Sequence, residues 1–180
     1  MRQLLFVCTF VCNFAIFFNA PFAHAVDRID LSIGNISRPS TTSPLINSFR
    51  AGLSWDTDYF KSEGNSVDRS VRIETSIGLN ETEMGDVKDA TIAPVLHYQF
   101  NKIYGRPFAE ISAGPAYISR TLWAPYHDLS SRRLFADRIG VGYEFGTVEV
   151  SLNFFHFSNA GLHKPNPGAD MILVRTSFKL

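Results

Sequence analysis

The chain of 180 residues has two cysteines, Cys8 and Cys12, both close to its start. Everything downstream is therefore without a thiol, a disulfide or a cysteine metal ligand. Long apolar runs are equally scarce. The one prominent stretch, Leu4 to Phe18, is interrupted only by Thr9 and Asn13 and falls short of the roughly 20 apolar residues a spanning helix needs. An excess of charge of one sign is missing too: 17 basic and 17 acidic side chains cancel, which speaks against nucleic acid as a partner. His97, His127 and His163 lack metal-ligand spacing and read as ordinary rim or loop residues, so no metal site and no cofactor are expected.

What is present begins with a targeting signal. Arg2, the apolar stretch behind it and the small-x-small triplet Ala23-His24-Ala25 predict a secretory signal peptide over residues 1–25, cleaved after Ala25. Cys8 and Cys12 lie inside its hydrophobic part and not at its end, which argues against a lipid-modified cysteine. Arg2 is the signal's only charged side chain, so residues 26–180 carry a net charge of −1 and are predicted to form one domain. Export without a helical anchor leaves two architectures: a soluble exported domain or an outer-membrane barrel.

The recurring hydrophobic period is two, which predicts strands. Val71, Ile73, Thr75, Ile77 and Leu79 alternate with Arg72, Glu74, Ser76 and Gly78. The same alternation runs through Ile92, Pro94, Leu96, Tyr98 and Phe100, and through Phe135, Ile139, Val141, Tyr143 and Phe145, with Gly140 and Gly142 on the opposite face. Near the end, Val148, Val150, Leu152 and Phe154 oppose Glu149, Ser151 and Asn153, while Ile172, Val174, Phe178 and Leu180 oppose Arg175, Ser177 and Lys179. Alternation alone fits a lipocalin-like binder with its apolar face inward as well as a membrane barrel with that face in lipid.

Aromatic residues near segment ends (Trp55, Tyr59, Tyr98, Phe100, Tyr104, Trp123) and a chain that stops on an apolar strand favour the membrane. The expected fold is all-β, an eight-stranded antiparallel transmembrane barrel with segments near 28–36, 45–56, 68–79, 87–100, 106–120, 132–145, 147–158 and 169–180. The even count places both termini on the periplasmic side. Residues 56–67 then form an unusually long periplasmic connection.

Chemistry concentrates in His156-Phe157-Ser158-Asn159-Ala160-Gly161, followed by Asn166-Pro167-Gly168 and Asp170. On a strand, His156 and Ser158 share a face about 7 Å apart, within reach of an imidazole. By parity they continue the row of Val148, Val150, Leu152 and Phe154, the presumed lipid face, as Asp170 continues that of Ile172 and Val174. A hairpin centred on His163 sets Asp170 opposite His156, Ile172 opposite Phe154 and Val174 opposite Leu152. Nucleophile, base and acid would then form one patch near the outer rim.

This segment resembles the motif of the PagL-type lipid A deacylases, in which a histidine, a serine two residues later and a downstream acid act together. The family acid is glutamate; here Asp170 stands at the matching spacing. The resemblance implies a catalytic set of Ser158, His156 and Asp170, with Asn166, Asn159 and Gly168 as oxyanion and support residues and Asn166 ranked first as donor. It further implies an ester hydrolase of the outer membrane whose substrate is lipid A within lipopolysaccharide, cleaved at the 3-position to release a 3-hydroxy fatty acid. Lys164, His163, Arg132 and Arg133 read first as solvated loop charges and second as contacts for lipid A phosphates. A homodimer is left open, and a non-enzymatic small barrel, an anchor or adhesin, remains the alternative function.

Overall fold

A computed structural model describes residues 25–40, 46–101 and 105–180. The signal segment lies outside the described residues, apart from Ala25, and so does Tyr104. Eight strands close a barrel: β1 (Arg28–Arg38), β2 (Ser48–Ser62), β3 (Val67–Asn80), β4 (Val87–Phe100), β5 (Pro107–Ile118), β8 (Arg133–Phe145), β9 (Val148–Ser158) and β10 (Ala169–Lys179). Two short strands, β6 (Leu122–Ala124) and β7 (His127–Asp128), pair only with each other in the β5–β8 connection. All neighbours in the barrel run antiparallel, and β1 pairs with β10 from Arg28↔Lys179 to Arg38↔Asp170, so no strand edge is left open.

Burial decides between the two architectures that alternation leaves open. Leu31, Ile77, Ile139, Leu152, Ile172 and Val174 are 48–67% exposed on the outside, while Arg72, Glu110, Arg138, Glu149 and Arg175 are at most 5% exposed within. An apolar exterior around a charged interior is the inverse of a soluble sandwich or lipocalin. It is the pattern that a barrel in hydrocarbon requires. An 11-residue strand such as β9 is about 33 Å long and, tilted by about 40°, crosses an apolar band about 25 Å tall. The chain is a membrane-spanning β-barrel.

The interior has two layers. Toward the end that carries the termini, Arg28, Arg72, Arg138 and Arg175 meet Asp30, Glu74, Glu110 and Glu149, while Arg50 pairs with Asp89 nearer the loop-bearing ends of β2 and β4, all of them buried. Glu110 accepts from Arg72 at 3.2 Å, Arg138 at 3.2 Å and Arg175 at 2.8 Å, and Glu149 takes two bonds from Arg72 at 2.8 and 2.9 Å. Toward the other end the lining turns apolar: Ile36, Val87, Ile118, Leu134, Phe155, Phe157, Met171 and Leu173, capped by Trp123 and Leu129 from the β5–β8 connection. Arg50 stacks over the Phe155 ring at 4.4 Å where the layers meet.

Three expectations need correction. The long periplasmic connection is absent, because β2 runs on to Ser62 and β3 starts at Val67, with an irregular register between Thr57 and Ser62. Trp123 is no girdle residue; it is fully buried and packs edge-on against Phe157, 6.1 Å between centroids. His97 is neither rim nor loop: it is 5% exposed inside the barrel, its Nδ1 3.0 Å from Glu110 Oε1. Parity and register otherwise hold, and the β8–β9 turn shrinks to Gly146-Thr147, with Gly146 at φ 65° supplying the left-handed backbone a two-residue hairpin asks for.

Candidate active site

The β9–β10 hairpin has the register the sequence predicts: Asp170↔His156, Ile172↔Phe154, Val174↔Leu152 and Phe178↔Val148. His156 and Asp170 both point outward near the loop-bearing end, on strands whose inward neighbours Phe155, Phe157, Ala169 and Met171 are locked in the apolar layer. Packing on the inside therefore fixes the backbone that aims the polar groups outside. His156 Nδ1 lies 2.5 Å from Asp170 Oδ1. An ionised carboxylate only accepts, so Nδ1 carries the proton and Nε2 of the neutral ring is left as the base. The second oxygen, Asp170 Oδ2, is held by Arg38 Nη2 at 2.7 Å.

Ser158 ends β9 on the same outward row, two residues beyond His156. Its hydroxyl receives the Ala160 N–H at 3.4 Å, and no bond to His156 exists among the described residues. Catalytic hydrogen bonds commonly tighten only around a substrate. The structure thus joins His156 to Asp170 directly and places Ser158 beside them.

The loop 159–168 separates the roles of its two asparagines. Asn159 is 1% exposed and its amide donates to the carbonyls of Leu129 at 2.9 Å and His163 at 3.0 Å, which ties the loop together. Asn166 Oδ1 accepts the Asn159 N–H at 3.1 Å, which orients the amide and leaves Nδ2 as its donating end. Gly168, at φ 70°, lies so close to the ring that a β-carbon there would sit 2.6 Å from His156 Cε1. Its carbonyl accepts from His127 Nε2 at 2.7 Å, so His127, read from the sequence as an ordinary loop residue, ties the outer hairpin to the site. His163, Lys164, Arg132 and Arg133 are exposed, and His163 is tied through its backbone to Asn159.

Two residues at the site escape the sequence reading. Asp137, on the outward row of β8, faces His156 across the ladder and interacts with it electrostatically, placing a carboxylate on each side of the imidazole. The signal was present: it is a charge between Phe135 and Ile139 in an apolar row. Arg38 gave no such signal, because counting by twos from Arg28 sends it inward.

The chain's residues 48–179 match the family model described as lipid A 3-O-deacylase (PagL). The chain belongs to the PagL family. It is 35% identical over 127 residues to the lipid A deacylase PagL of Pseudomonas aeruginosa, covering 68% of this chain and 72% of that protein. The lipid A deacylase PagL of Bordetella bronchiseptica is 29% identical over 96 residues, 53% of this chain and 52% of that one. The crystal structure of the outer membrane enzyme PagL superposes with a TM-score of 0.74 at 25% identity, covering 85% of this chain and 99% of the other. As a PagL-family protein the chain is an ester hydrolase, and its outer-membrane barrel is the fold of that enzyme.

Proposed function

We propose that this PagL-family barrel hydrolyses the ester-linked acyl chain at the 3-position of lipid A in the outer leaflet, with Ser158, His156 and Asp170 acting as one unit. The carrying observation is the outward His156–Asp170 pair, bonded at 2.5 Å beside Ser158, on a wall that otherwise presents hydrocarbon-facing side chains. A polar constellation on that wall is costly unless its substrate arrives sideways through the bilayer, as a lipid does.

Ser158 Oγ attacks the acyl carbonyl while His156 Nε2 takes its proton, and Asp170 steadies the imidazolium. Negative charge on the former carbonyl oxygen is met by Asn166 Nδ2, a contribution often worth about 3 kcal/mol. The C–O bond to the sugar then breaks, the sugar oxygen taking the proton from His156. Water, deprotonated by the same Nε2, attacks the acyl-serine; the acyl–Oγ bond breaks, Ser158 takes that proton back from His156, and the 3-hydroxy fatty acid is freed.

The test is mass spectrometry of lipid A from Gram-negative cells that express either the parent chain or Ser158→Ala. Loss of one 3-hydroxyacyl group is expected only with the parent, since removing a nucleophile that works with a partnered histidine costs about a millionfold. Full deacylation by a folded Ser158→Ala protein would sink the mechanism.

A further inference from the structure

We infer that Arg38 is a positioning residue for this reaction, holding the shorter acid of this chain at the imidazole. The inference rests on the mechanism proposed above and extends it by one residue. Inward side chains on β1 fall at Arg28, Asp30, Ser32 and Ile36, so a regular strand would bury position 38. The register instead steps from Ile36↔Met171 to Arg38↔Asp170, one extra residue on β1 and none on β10. That bulge turns Arg38 to the outer face, the kind of re-aiming for which bulges recur beside active sites.

The result is one row across four adjacent strands, Arg38, Asp170, His156 and Asp137, each facing the next in the ladder. Asp170 gives Oδ1 to His156 at 2.5 Å and Oδ2 to Arg38 at 2.7 Å. A carboxylate held at one oxygen alone can rotate about its side-chain bonds; held at both, its plane is fixed. Aspartate has one methylene fewer than the glutamate of the family motif, so its reach leaves little room for a misplaced plane. Gly168 completes the enclosure, since a β-carbon there would lie 3.4 Å from Arg38 Nη2. Arg38 is 47% exposed at its side chain, and the competing role is a direct grip on an anionic group of the substrate.

A double-mutant cycle separates the two roles. Steady-state deacylation of purified lipid A by the full barrel in detergent micelles is measured for the parent, Arg38→Ala, Arg38→Lys, Asp170→Asn and Arg38→Ala/Asp170→Asn, with Ser158→Ala alongside. Folding of each is checked by heat-modifiable gel migration. Arg38→Ala is expected to lower kcat about 10- to 100-fold with KM within about twofold, the size of effect that a misplacement of about 1 Å produces. Arg38→Lys, which keeps the cation without the fork, should recover part of the loss, and it carries the test if the alanine variant does not fold. In the Asp170→Asn background Arg38→Ala should change kcat by less than about twofold, because residues acting as a unit are non-additive.

A raised KM at unchanged kcat, or the same fold loss with and without Asp170, would overturn the inference and assign Arg38 to the substrate. Ser158→Ala tells the two levels apart. Activity retained there removes the mechanism and this inference together, whereas loss there with an unaffected Arg38→Ala removes only the role of Arg38.

Discussion

A β-carbon at position 168 meets two obstacles at once: the backbone is at φ 70°, and the imidazole edge would be 2.6 Å away. Glycine alone satisfies both. Gly168→Ala is expected to lower kcat by about a hundredfold or more, the usual penalty for displacing a catalytic group by about 1 Å, while the barrel stays folded. Steady-state rates beside gel migration check it, and activity within about threefold of the parent would mean that the loop leaves the ring undisturbed. Asp137 makes a subtler contribution, because its carboxylate favours the imidazolium that forms when Ser158 gives up its proton. Being solvent-accessible, it is worth about 1 kcal/mol at most, so Asp137→Asn should reduce kcat by roughly fivefold. An unchanged kcat would leave Asp170 as the sole charge that matters to His156.

The outer hairpin of β6 and β7 works as a clamp on the β9–β10 loop. Trp123 packs on Phe157, Leu129 O receives the Asn159 amide, and His127 holds the Gly168 carbonyl. Removing the Asn159 amide strands the carbonyls of Leu129 and His163 and the His163 N–H, at a cost of about 1–3 kcal/mol for each buried group left unpaired. Asn159→Ala should therefore speed hydrogen exchange across residues 159–168 while β9 and β10 below them stay protected; equal exchange in both proteins would contradict the clamp. Much of this neighbourhood is legible in sequence because hairpin geometry is local. Parity puts His156, Ser158 and Asp170 on one face, and one turn centre at His163 gives the whole register. What stays hidden depends on partners distant along the chain or on irregular backbone. A one-residue bulge reverses the parity of Arg38, and the irregular register after Thr57 lets β2 continue where hydrophobic alternation has faded. Trp123 looks like a girdle residue until the fold lays its hairpin over the barrel mouth, and His97 looks idle until β5 and β9 bring Glu110 and Glu149 beside it.

Taken as a whole, the barrel separates its chemistry from its stability. The row of Arg38, Asp170, His156 and Asp137 is on the outer wall, and the charges around Glu110 occupy the lower interior, with the apolar layer of Phe155, Phe157 and Met171 between that network and the loop-bearing mouth. That layer also closes the lumen, so the purified protein in a planar bilayer should pass no steady ionic current. Five arginines against five acids make the interior nearly neutral, and Glu110 is its busiest point, shared by Arg72, Arg138, Arg175 and His97. Glu110→Gln keeps the shape and removes the charge. Its partners are then left buried with an uncompensated positive charge, a defect that typically costs about 3–5 kcal/mol when one member of a buried pair is lost. The urea midpoint of the refolded barrel should fall accordingly. Deacylation per folded molecule should stay within about twofold, because no catalytic candidate touches Glu110. A large loss of activity at an unchanged midpoint would reverse the assignment, making the interior network part of the machinery that positions β9 and not the ballast that holds the barrel together.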